Sequence, residues 1–202
     1  TKNLIAKLIL PKCSHREAGG RRDMMSQQIS YDGLERLVLD TAKKINIESA
    51  VHIEPVYSLA EILTLKNVTD LRSLAKALQI KNYSKSRKPE LIPAIVTKMQ
   101  HPDILRDCFY TLHEVEWEFF QRVAAQKYLQ TDNVFIDSYY IPQSMGLLQS
   151  FYHQDELFFV VSDEIKAAYR EIAKTNFSED KLFRDLLNNY AIAAVSLYGV
   201  IS

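Results

Sequence analysis

The sequence predicts a mainly α-helical protein with one small β-hairpin. Gly and Pro number only 5 and 6 in 202 residues, too few for a many-turned β protein. Apolar residues recur at three- and four-residue spacing behind capping residues through most of the chain. One stretch, 147–161, instead sets two apolar, aromatic runs around a short polar insert. A hydrophobic share of 47% is enough for a buried core.

Taken in order, residues 1–28 are expected to be a linker, or a leader that is processed or not native. Their Gly pair and mixed charge give the linker reading, and Met24-Met25 reads as a start. Leu4, Ile5, Leu8 and Ile9 have helical spacing, but Lys7 interrupts the run, which is too short for a membrane span. Residues 29–65 form an N-terminal helical segment. Ser30 is its expected cap, and Leu34, Leu37, Val38 and Ala42 or Ile45 its apolar face. A short helix over 57–65 has Ser58 as cap and Glu61 at capping-box spacing.

Residues 66–100 read as helix, basic loop, helix. Asn67 caps the first helix, whose apolar face is Leu71, Leu74, Ala75 and Leu78. Ser86 or Arg87 precedes the second, with Lys88-Pro89 in its first turn, where proline is tolerated. Leu91, Ile92, Ile95 and Val96 are its buried face, and Pro93 is an awkward residue within it.

Residues 103–172 form a further unit. One or two helices, with Val115, Phe119, Val123 and Ala124 as apolar face, lead to a possible strand at 133–137 and a turn or short helix at 138–148. The hairpin and a helix capped by Ser162 follow. Residues 178–202 start another helical unit, which reads as cut short.

Net charge is zero, but its distribution is not even. Residues 71–100 hold seven Lys or Arg and one acid, whereas residues 101–202 hold eight and fifteen. Four positive charges fall within 81–88, around Tyr83. This density points to a surface that neutralises phosphates. Lys81, Lys85, Arg87 and Lys88 are its candidates, and Lys76 and Lys98 extend it. Ser84 and the N–H groups opening the second helix are further donors for a phosphate oxygen. Tyr83 either stacks on a base or, the reading favoured, packs between the two helices. Point charges on so small a module read shape and charge, not base edges, so specificity for DNA or RNA sequence is expected to be low. The competing reading is a solvated loop, or one occupied by acids from 101–202.

Catalysis finds no foothold. No G-x-S-x-G, H-E-x-x-H or phosphate-loop pattern occurs, and Glu114 and Glu116 lie on opposite sides of a helix. Cys13 with His15 and Cys108 with His113 are too sparse for a metal site. A non-enzyme without catalytic residues, cofactors or metals is expected. Nothing demands an oxidising compartment, so a cytoplasmic setting without membrane contact is the default.

The residues of the helix–loop–helix carry a resemblance. Leu71, Leu74, Ala75 and Leu78, then Ile80, Tyr83, Ser84 and Lys85, then Arg87, Lys88, Glu90, Leu91 and Ile92 form a pattern. It resembles the N-terminal helix–extended-loop–helix subdomain of transcription termination factor Rho, to which the SAP motif is structurally related. Pro89 and Pro93 depart from it. The resemblance implies a nucleic-acid-binding, transcription-associated role, without the ATPase. More loosely, helices followed by a hairpin and a helix in 103–172 resemble a winged-helix unit. Its expected wing is the acidic His153–Glu156, so this half reads as a protein contact or structural unit. The alternative function is therefore a scaffold whose acidic C-terminal half docks a protein partner. Oligomeric state is left unassigned.

Overall fold

The computed structural model describes residues 31–199, and the expectations of a leader, of a helical Leu4–Ile9 stretch and of a Ser30 cap lie outside them. Helix α1 (Tyr31–Ser49) comes first. Only part of its expected apolar face turns inward: Leu34 and Ala42 are half-buried, but Leu37, Val38 and Ile45 are exposed, whereas Asn46 is fully buried. The Asn46 amide donates to the Val134 carbonyl at 2.7 Å and accepts from the Tyr139 hydroxyl at 2.7 Å. A satisfied polar side chain in a low-dielectric interior fixes one orientation strongly. That anchor, rather than the leucine stripe, sets which face of α1 turns inward.

Four short helices follow: α2 (Leu59–Leu65), α3 (Val68–Ala77), α4 (Lys88–Met99) and α5 (Pro102–Thr111). The capping box expected at Ser58 and Glu61 does not form. Glu164, from a helix far along the chain, accepts the Leu59 N–H at 2.9 Å and the Ser58 hydroxyl at 3.2 Å. The cap is supplied in space, which local spacing cannot reveal. Asn67 does cap α3, accepting the Asp70 N–H at 2.8 Å.

Helix α6 (Glu114–Ala124) buries Phe119, Phe120, Val123 and Ala124, but Val115 is exposed and Glu116 buried in its place. The Glu116 carboxylate accepts the His113 N–H at 2.9 Å, so capping the helix decides that position. No strand forms at 133–137. Val134 is buried beneath Asn46, and Ile136–Ser138 make a 3-10 turn. The strand lies earlier, as β1 (Leu129–Gln130), and α7 (Tyr140–Ser144) follows.

The hairpin forms as expected, from β2 (Gln149–His153) and β3 (Glu156–Val160). Its turn residues Gln154 and Asp155 have φ of 50° and 62°, the geometry of a two-residue type I′ turn. Among the described residues the strands make one antiparallel sheet, in the order β1-β3-β2. Val51 adds a parallel bridge to Phe151 at the β2 edge.

Helix α8 (Asp163–Ala173), capped by Ser162 as expected, and α9 (Phe177–Tyr198) complete the fold. The aromatic centre is Phe109, whose ring lies 4.9 Å from Phe120, 5.4 Å from Trp117, 5.6 Å from Tyr169 and 6.0 Å from Phe177. The buried residues of α3 and α4 belong to the same continuous cluster as this centre. Among the described residues no helix is long and apolar enough to cross a membrane.

Candidate nucleic-acid interface

The basic loop is built from its two ends. At the end of α3, Ile80 N–H bonds to the Ala75 carbonyl at 2.9 Å and Gln79 N–H to the Lys76 carbonyl at 3.0 Å. This is a Schellman closure, with Gln79 in the left-handed region at φ 55°. Ile80 then packs against the core and directs the chain outward. Asn82 is also left-handed, at φ 59°. Its carbonyl accepts the Lys85 N–H at 3.1 Å and the Ser86 hydroxyl at 3.2 Å. Arg72, on α3, ties the loop down by donating to the Ser86 carbonyl at 3.3 Å. The loop is therefore a pinned turn rather than a slack connection.

On it, Lys81, Ser84, Lys85 and Arg87 are exposed, as is Lys76 on the last turn of α3. Among the described residues, no ion pair joins these cations to the acids of 101–202. Tyr83 is half-buried and packs against the core cluster, which leaves part of its ring facing solvent.

Two predicted residues stand apart. Lys88 is half-buried, and its ammonium donates to the Thr64 carbonyl at the end of α2, so it serves as a tie between helices. Lys98 is exposed but lies ten residues along α4 from Lys88, roughly 15 Å at 1.5 Å per residue. The N-terminus of α4 is not free for an anion either. Pro89 has no N–H, and the Glu90 carboxylate accepts the Arg87 N–H at 3.0 Å. Glu90 already places a negative charge where a phosphate was expected.

Sequence reasoning missed two supporting residues, Arg72 and Lys66, and named Glu90 only as part of the family pattern. The Lys66 ammonium donates to the Gln143 carbonyl of α7 at 3.2 Å, and burial holds its pKa below the usual lysine value, with Asp70 pulling the other way. Only Glu90 left a trace, three residues after Arg87 at capping-box spacing.

Residues 63–100 match the family described as the Rho termination factor N-terminal domain. The match spans the end of α2, α3, the basic loop and α4, so the Rho-type module includes the helix end to which Lys88 is tied. Neither a curated protein nor a solved structure matches the chain. The winged-helix resemblance of 103–172 gains no support from these comparisons.

The other reactive groups are quiet. Burial pushes the Cys108 thiol up to about 11, which keeps it protonated at neutral pH. Among the described residues no group of three or more His, Cys, Asp or Glu is placed to hold a metal ion.

Proposed function

We propose that this is a non-catalytic, transcription-associated protein that holds a nucleic-acid backbone through the loop of its Rho-type module. The observation that carries this reading is the pinned loop with Lys76, Lys81, Lys85 and Arg87 exposed and unpaired by the acidic half. Cations held on an ordered turn displace counterions without first losing loop entropy. Tyr83 offers a partly open ring to an unpaired base, and Ser84 offers its hydroxyl to a phosphate oxygen. Lys88 and Lys98 contribute little, the first through its bond to Thr64 and the second by its distance along the helix.

The test is fluorescence anisotropy on the whole chain with single- and double-stranded DNA and RNA across a salt series. Four neutralised phosphates give a slope of log K against log salt of roughly −3 to −4. Changing Lys81, Lys85 and Arg87 together to Ala should reduce that slope by about 3. Changing Lys98 to Ala should leave it nearly unchanged. No salt-sensitive binding to any of the four probes would remove this reading.

A protein contact through residues 103–172 is the second reading. What favours it is the exposure of Phe135, Tyr140 and Ile141 next to the α7 turn, together with an acidic hairpin tip at Asp155 and Glu156. Acids at that tip repel phosphates at close range.

A further inference from the structure

Helix α9 is anchored at its start and open beyond. Phe177 is buried in the aromatic centre, and the buried Lys181 ammonium donates to the Leu112 carbonyl at 2.7 Å and meets Asp185 at 3.1 Å. Arg184 lies over the Tyr110 ring at 4.0 Å. Beyond Asp185 the helix carries no charge, yet Leu186, Leu187, Tyr190, Ile192, Val195 and Leu197 are all at least half exposed, as are Leu182 and Phe183 before it. Phe183, Leu186, Tyr190, Ala193 and Leu197 follow a three-four-three-four spacing, which is the seam of a coiled coil. At about 100° per residue, this seam faces roughly opposite to Phe177 and Lys181. It points away from the body that holds the helix.

We propose that this seam is the interface of a dimer, in which α9 pairs antiparallel with α9 of a second copy of the chain. Size order along the helix singles out that occupant and that orientation. The bulky Phe183, Leu186 and Leu187 come first, and the small Ala193 and Ala194 come later. A two-fold axis at Tyr190 sets Phe183 against Leu197, Leu186 against Ala194 and Leu187 against Ala193. Large meets small in the two layers that contain the alanines, as interdigitated packing requires, while Phe183 with Leu197 and Tyr190 with its own copy close the seam with large side chains. A parallel pair would set leucine on leucine and leave gaps between the alanines. The antiparallel pair also sends the charged starts of the two helices, Glu179 to Asp185, to opposite ends. Five large side chains at this exposure offer on the order of 100 Å² each, so two copies bury about 1,000–1,200 Å², at the threshold of a specific interface.

Sedimentation velocity on the whole chain, from low to several hundred micromolar, tests this. The weight-average mass should rise toward twice that of the monomer. Leu186→Asp and Tyr190→Glu, each at an exposed position, should hold it at the monomer while circular dichroism stays unchanged. A monomer at every concentration, or a dimer that survives Tyr190→Glu, overturns the proposal. Orientation is read by cysteine crosslinking in a Cys13→Ser background. Tyr190→Cys should crosslink to itself and Leu197→Cys should not. A Leu197→Cys crosslink of equal yield would overturn the antiparallel pair.

Discussion

The loop between α3 and α4 and the distal half of α9 are both exposed, but in opposite ways. The loop is short, cationic and pinned by backbone and side-chain hydrogen bonds. Distal α9 is long, uncharged and held only through its first turns. A charged surface can stay in water indefinitely, because its hydration is favourable. An apolar helix face carries a continuing cost of exposed area until something covers it. The contrast teaches that exposure alone does not mark a binding surface. What kind of water the surface holds decides which partner relieves it, and how that contact responds to salt.

The largest effect should come from Phe109→Ala, because both regions lean on the same cluster. Loss of a fully buried ring costs about 3–5 kcal/mol. Urea unfolding followed by Trp117 fluorescence and by far-UV circular dichroism should give one coincident, weakened transition. Two separated transitions would mean that the module and the aromatic half are independent bodies, and the comparison would be between domains rather than surfaces.

Salt separates the two surfaces directly. Raising it from about 50 to 200 mM should weaken nucleic-acid binding by roughly 60- to 250-fold. Self-association through α9 should hold or strengthen over the same range, since burial of apolar area is not screened. Parallel loss of both would show that the α9 contact is electrostatic after all.

Glu164→Ala should cost about 1–2 kcal/mol by leaving the Leu59 N–H without its acceptor. Hydrogen exchange should quicken at the start of α2 and spare the basic loop. The smallest effect is a gain. Gln79→Gly relieves a non-glycine residue of its left-handed conformation and should stabilise the chain by roughly 0.5–1 kcal/mol. Thermal unfolding would register it, and nucleic-acid affinity should not change, because Gln79 bears no charge.

The module was the most legible part of the sequence for a physical reason. Its Asn67 cap, leucine faces and first-turn proline all act within one or two helical turns. Features that depend on distant partners were not legible. The face of α1 was read from leucine spacing, but a hydrogen bond from Asn46 to Val134, 88 residues away, decides it. The strand placed at 133–137 belongs instead at Leu129–Gln130, because pairing with Phe158 and Phe159 defines it. The candidate site was half legible. The cationic loop was visible in composition, while the ties that hold it, Arg72 to Ser86 and Lys88 to Thr64, became apparent only in three dimensions.

The bond from Glu164 to Leu59 spans 105 residues, and it sets a clock on synthesis. A ribosome adds about 5–20 residues per second, so helix α2 emerges roughly 5–20 s before the carboxylate that completes its first turn. During that interval the helix end is frayed, and the surface that α8 will cover stays wet. A nascent chain of this protein therefore carries α2 without its N-terminal cap until α8 has left the ribosome.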